Sequence, residues 1–431
     1  MKLRHAIFFL WIWILLAAFI REGDLRAYGL QLAGAEALVE RGALELGHSA
    51  VPELNPQGDV FAHNSSLHPA KQPGQFFWSA AAYALVKASG SNFVSNFTAA
   101  AAWTTWLSGT LAAALIALAA LIIFEHLSPT RRIVNLTLAS LTVFATPLWV
   151  YSGVAHHDIM AMCCVTWAFV AWLNARLLTA AFLLAFSSFF SLLVAPGIIG
   201  ITALVLWHSR RDVGLFLKFL LGFTPGLAPN LIYNWLTFGS PFMPANIAGD
   251  YADTYFRPSI SSVIEKLNTY FGWGELSLWV YAPLAGIALA FALVHLKSSS
   301  KLHDLVSFKF AFLLPILFYI LGMETIGHCQ FGPRYLMPIF ALSLLGLAHA
   351  SARSLLALSP LALYSLATNF TGAQSGSMRC DLSKYLNFQY WHSQIAADFF
   401  PARSPLLWLL IAALSLALAL MTHSQKVRRE A

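Results

Sequence analysis

Several polar clusters interrupt an otherwise apolar chain, and their residue types suit chemistry on phosphates and hydroxyls. The first, Arg21-Glu22-Gly23-Asp24-Leu25-Arg26, follows directly on the apolar run Ala6 to Ile20. An acid held at the exit of a first apolar run, with basic neighbours, is well placed to do chemistry at a membrane surface. An ordinary charge marking the end of a membrane span is the alternative for Asp24. The second cluster, His68-Pro69-Ala70-Lys71-Gln72-Pro73-Gly74, offers Lys71 as a cation for a lipid phosphate or as an anchor among head groups. In the third, Phe331-Gly332-Pro333-Arg334-Tyr335, a Gly-Pro turn presents a guanidinium suited to bidentate phosphate binding. Tyr335 stands beside it, and an ion pair of Arg334 with Glu324 is the structural alternative.

Two further groups are less specific. His156-His157-Asp158 follows Tyr151-Ser152-Gly153 and invites a metal. Neighbours on a helix point about 100° apart, however, so a complete metal site would need ligands from elsewhere, such as His68 or His328. The spacing favours hydrogen bonding by His157 and Asp158 over metal ligation. Asn234, in Tyr233-Asn234-Trp235-Leu236-Thr237-Phe238-Gly239-Ser240-Pro241, can stop a helix or bind a polar substrate group.

The elements that must carry these residues are set by composition. The 431 residues are 58% hydrophobic and 10% charged, where a soluble protein carries roughly 25% charged residues. The class expected is an all-α polytopic membrane protein. The net charge of +7 is spread over short connections: Lys2 and Arg4, Arg131 and Arg132, Arg176, Arg210 and Arg211, Lys297 and Lys301, Arg353, and the tail from Lys426 to Arg429. This is the positive-inside pattern, which reports orientation and gives no sign of nucleic-acid binding. Lys218 and Lys309, just inside apolar runs, are expected to snorkel to that face. Cys329 and Cys380 fall in outer loops and could pair, although free thiols suit a pair of cysteines better.

Apolar runs bounded by Pro, Gly or charge predict about twelve transmembrane helices, near 5–20, 98–125, 133–151, 157–175, 177–194, 196–208, 213–235, 276–296, 305–323, 334–350, 354–370 and 406–423. The fifth and sixth are separated at Ala195-Pro196. The even count puts both termini in the cytoplasm, within one integral membrane domain, 1–431. Three outer loops are long: 21–97, 237–275 and 371–405. In the first, Leu25, Leu32, Ala35 and Val39 recur at helical spacing. The run from Phe76 to Val86 reads as an interfacial helix.

With these residues in order and on one face, the chain resembles the GT-C superfamily of membrane glycosyltransferases. The resemblance rests on an acid soon after the first span, Lys71 to Gly74, Tyr233 to Pro241, and Gly332 to Tyr335, and it covers most of the chain. It implies a polyprenyl-phosphate-linked sugar as donor and a hydroxyl on a glycan, lipid or protein as acceptor. Asp24 would be the catalytic base, with Glu22 as competitor because Gly23 separates the two acids. Lys71 and Arg334 would bind the donor phosphate, and Arg26, His157, Asp158, Asn234 and Tyr335 the rest of the substrates. No cofactor is required by the chemistry, although some relatives bind a divalent metal. The setting implied is a bacterial inner membrane, among membrane lipids, with the site on the periplasmic face. The rival readings are a transporter or flippase for lipid-linked sugars, marked by charges at the bilayer midplane, and an inactive scaffold.

Overall fold

Among the described residues apolar runs become helix, but proline and serine cut the helices shorter than the runs. The structure, a computed structural model, describes residues 3–27, 29–55, 59–210, 212–249, 256–272, 276–294, 300–325, 330–376 and 410–417. Among these, three helices are long and apolar enough to cross a membrane: Phe97–Leu127, Leu192–Ser209 and Val213–Phe238. This overturns the expectation of about twelve spans. Six further apolar helices are shorter, among them Leu3–Ala17, Arg132–Phe144, His157–Leu173 and Leu177–Ser187.

The shortening has local causes. The expected span 133–151 ends as a 13-residue helix at Phe144, ahead of Pro147. At 1.5 Å per residue it reaches about 20 Å, short of the roughly 30 Å of a bilayer core. The run 177–194 stops at Ser187 after 11 residues. There the hydroxyls of Ser187 and Ser188 bond back to the carbonyls of Leu184 and Ala185. The break expected at Ala195-Pro196 therefore falls earlier. Pro196 lies in the first turn of Ala195–Ser209, where its missing N–H costs nothing. Pro283 likewise begins a new helix, Pro283–Val294, after Leu278–Tyr281.

Hydrophobicity in this chain serves burial inside the protein as much as contact with lipid. Phe97–Leu127 is mostly buried, with Ala112, Ala113, Ala114 and Ala117 at 0% exposure. The Val213–Phe238 helix is the opposite case, with Leu217, Leu221, Ile232 and Trp235 exposed. Lys309 departs from its expected place: at 1% exposure it does not snorkel, and its Nζ lies 3.5 Å from the Ser343 carbonyl.

The segment after the first helix is structured. Glu22–Ala27 and Gly29–Glu36 are helical, burying Leu25, Leu32 and Ala35. An antiparallel hairpin joins Val60–His63 to Ser66–Pro69. Its two turn residues, Asn64 and Ser65, both have positive φ, as a type I′ turn requires. The helix Gly74–Ala88 follows at once. The Gly74 amide donates to the Phe189 carbonyl at 2.8 Å, which fixes the Lys71 strand end against the Ser187–Leu192 break.

Gly222 and Gly226 let the Val213–Phe238 helix touch the backbone of Leu177–Ser187. A Cβ on either would lie 2.3 Å from the carbonyl oxygen of Leu178 or Phe182. Such small-xxx-small spacing is how helices approach closely where lipid gives no hydrophobic drive. Gly226→Val is expected to destabilise the protein by about 1–3 kcal/mol, read as a lowered unfolding midpoint in detergent micelles.

Candidate functional site

Five separate parts of the chain meet at one cleft of about 90 Å³. Lys71 and Gln72 come from the end of the hairpin, His157 and Asp158 from the start of His157–Leu173, and Arg334 and Tyr335 from the Gly-Pro turn. Ser191 to Leu193, Tyr319 and Met323 complete the wall. Lys71, His157, Asp158, Arg334 and Tyr335 are the members that the sequence marks out. Gln72, Ser191 and Tyr319 are not, and of these only Gln72 carries a signal, its place beside Lys71.

Each cation is held by its own neighbours. Lys71 Nζ is 3.0 Å from the half-exposed Asp59 carboxylate. Arg334 opens a 3-10 turn after Gly332, whose φ of +64° suits glycine because a side chain is strained there. Its guanidinium donates to Tyr335 Oη at 3.3 Å and lies 5.0 Å from that ring's centre. Glu324 pairs instead with Arg257, at 3.1 Å. The turn is tied inward by Tyr151, whose hydroxyl donates to the Phe331 carbonyl at 2.9 Å.

The buried carboxylate of Asp158, 3% exposed, lines the same cleft. Ser191 Oγ donates to its Oδ1 at 2.7 Å, and His157 Nε2 is 3.4 Å from the same oxygen. His156 is not part of the helix. It caps it in extended conformation, its Nδ1 accepting from the Asp158 amide at 3.2 Å. This folds its ring onto that of His157, with centres 4.4 Å apart and planes 19° from parallel. The 100° objection to a cluster therefore fails, because it assumed three helical residues.

Ligand atoms of His156, His157 and Asp158 lie within 4.8 Å of one another, and the group could hold a divalent metal. As arranged, the donor set fits one poorly. A neutral imidazole has one lone pair, and that of His156 is committed to the helix cap. Burial pushes both histidines well below their ordinary pKa, and the charges of Lys71 and Arg334 push the same way. Lys71 and Arg334 oppose a bound cation there, whereas the Asp158 carboxylate pulls the other way.

The other expected site residues lie elsewhere. Glu22 is exposed and paired with Arg26 at 2.9 Å. Its carboxyl is held below the usual range by that hydrogen bond, with help from Thr98. Arg26 also binds Glu53. Asp24 is buried, 6% exposed, with Oδ1 2.9 Å from the place a Cβ would occupy at Gly376. Asn234 donates to the Pro241 carbonyl at 3.2 Å, the end-of-helix role open to it from sequence. None of these four lines the cleft. His328 and the Cys329 and Cys380 pair lie outside the described residues. No protein-family model, curated protein or solved structure matches the chain.

The neutral histidines give a pH signature. Their folded pKa lies below the unfolded value of about 6.5, so the unfolded chain binds more protons in that window. Stability should hold above pH 6.5 and fall below it, by up to about 1.4 kcal/mol per unit for each histidine, until the folded pKa is reached. Unfolding measured from pH 7.5 to 5.5 checks this, with a shallower slope expected for His157→Gln.

Proposed function

We propose that this chain transfers a sugar from a polyprenyl-phosphate donor to an acceptor hydroxyl at a membrane surface. One observation carries the reading: Lys71 and Arg334, far apart in sequence, line the same cleft with His157, Asp158 and Tyr335. Long apolar helices are consistent with a membrane setting, and the bacterial inner membrane with an outward-facing site is part of the proposal. A cleft of about 90 Å³ is far below the roughly 300–1,000 Å³ that encloses a whole ligand. It suits the donor phosphate alone, with the sugar and prenyl chain extending from its mouth.

In this reading Lys71 and Arg334 stabilise the charge that gathers on the leaving phosphate as the glycosidic bond breaks. The base is the carboxylate in the cleft, Asp158, steadied by Ser191. Asp24 takes that role only if the acceptor reaches the sugar carbon from the side of Gly376. Direct displacement with one base inverts the anomeric carbon.

A second reading, transport of a lipid-linked sugar, gains from Lys309, a buried cation that belongs to no surface. The two are separated by assaying purified protein with a panel of polyprenyl-phosphate sugars. Transfer is expected, with Lys71→Gln and Arg334→Gln each weakening donor use by roughly 10- to 100-fold. Asp158→Asn should lower kcat by roughly 10²-fold or more. Loss of transfer in Asp24→Asn with full transfer in Asp158→Asn would move the base to Asp24. No transfer with any donor, alongside Lys309-dependent movement of the lipid across vesicles, would favour the transporter.

A further inference from the structure

A second cavity, of about 330 Å³, lies at the opposite end of the helices that build the cleft. His157–Leu173 gives His157 to the cleft and Trp172 to this cavity. Leu192–Ser209 gives Leu192 to one and His208 to the other. Tyr319 and Ser307, on the helix Ser300–Gly322, divide the same way. At 1.5 Å per residue the two sites are separated by about 20–25 Å along these helices.

The walls are apolar: Trp172, Leu177, Leu204 and Leu215, with His208 and Ser307 as polar members. The Nδ1–H of His208 is spent on the Leu204 carbonyl, 2.8 Å away. The rim is basic. Arg176 sits between two lining residues, Ala175 and Leu177, in a turn where Ala175 is held at φ 54°. Arg210 follows His208 by two residues, its guanidinium 4.0 Å above the exposed Trp207 ring. Lys218 lies one turn beyond Leu215. All three are exposed, and among the described residues none has a carboxylate within ion-pair distance. From residue 174 to residue 218 the chain holds one acid, Asp212, against Arg176, Arg210, Arg211 and Lys218.

Basic residues at helix ends are expected for orientation alone. What orientation does not explain is an apolar chamber opening between them. We propose that this cavity seats a phospholipid with an anionic head group, one acyl chain among Trp172, Leu177, Leu204 and Leu215 and the phosphate at Arg176 and Arg210. Guanidinium groups bind phosphate oxygens in pairs, and a tryptophan at the rim is the residue found at the level of lipid head groups. The neighbouring surface is apolar, with Leu178, Leu206 and Leu217 exposed, so an acyl chain can enter from the side. The assignment does not depend on the chemistry of the cleft.

The test uses the full chain in detergent, with native mass spectrometry to count retained lipid. Phosphatidylglycerol is compared with phosphatidylcholine of the same acyl chains, and inorganic phosphate is added as competitor. Phosphatidylglycerol should be retained preferentially. Arg176→Gln with Arg210→Gln should weaken it by roughly 20-fold, while the double lysine variant keeps most of it. Leu204→Trp, which fills the cavity and leaves both charges, should release the lipid too. Equal retention of the two lipids overturns the proposal, as does unchanged retention in either the double glutamine or the Leu204→Trp variant. Displacement by inorganic phosphate at equal concentration identifies a free-anion site and overturns the lipid assignment.

Discussion

The arrangement of the cleft follows from one constraint, the carboxylate of Asp158 held almost out of water. An ionised group in that position costs several kcal/mol unless it is hydrogen-bonded and faced by positive charge. Ser191 supplies a hydroxyl at 2.7 Å, and His157 brings a ring nitrogen to 3.4 Å. Neither carries charge, because burial keeps the two stacked histidines neutral. The positive charge comes instead from residues outside the helix, Lys71 and Arg334 on the same wall. Both stand on tightly fixed backbone: the Gly74 to Phe189 hydrogen bond beside one, and the Tyr151 to Phe331 hydrogen bond beside the other.

The charges around the cleft balance: Lys71 and Arg334 stand against Asp158 and against Asp59, which is 3.0 Å from Lys71. What weighs against a divalent cation is the arrangement of the three ligand-type side chains within reach. His156 shows how narrow the distinction is. Its extended backbone brings its ring into the cluster, and the same conformation commits its Nδ1 to the helix cap.

Much of the cleft is legible in the sequence because charged residues and histidines are costly in an apolar chain and stand out from it. Lys71, His157, Asp158 and Arg334 are legible for that reason, and Tyr335 through its place in the Gly-Pro-Arg-Tyr element. Ser191 was invisible: a serine beside a helix break has an adequate local role, and only tertiary contact gives it Asp158 as a partner. Asp24 shows the converse limit. Its position after an apolar run is informative about the chain, but which wall it faces depends on how Glu22–Ala27 packs. The number of spans was misread for a related reason. Apolar composition states that a residue avoids water, and both a protein interior and lipid satisfy that. Ala112 to Phe124 satisfies it by burial against other helices, and only the lengths set by Pro147, Ser187 and Pro283 show which runs reach across.

Burial at the site is a matter of packing and not of depth in a bilayer. His157–Leu173 has 17 residues, or about 25 Å, less than the roughly 30 Å hydrocarbon core, and it is not among the three helices long enough to cross one. Asp158 is nevertheless only 3% exposed, because protein alone surrounds it: the Ser191 hydroxyl at 2.7 Å, the His157 ring at 3.4 Å and the His156 cap close over the helix start. Its burial therefore holds wherever the helix sits. It depends on the helix break after Ser187, which leaves Ser191 free of a helix to reach it.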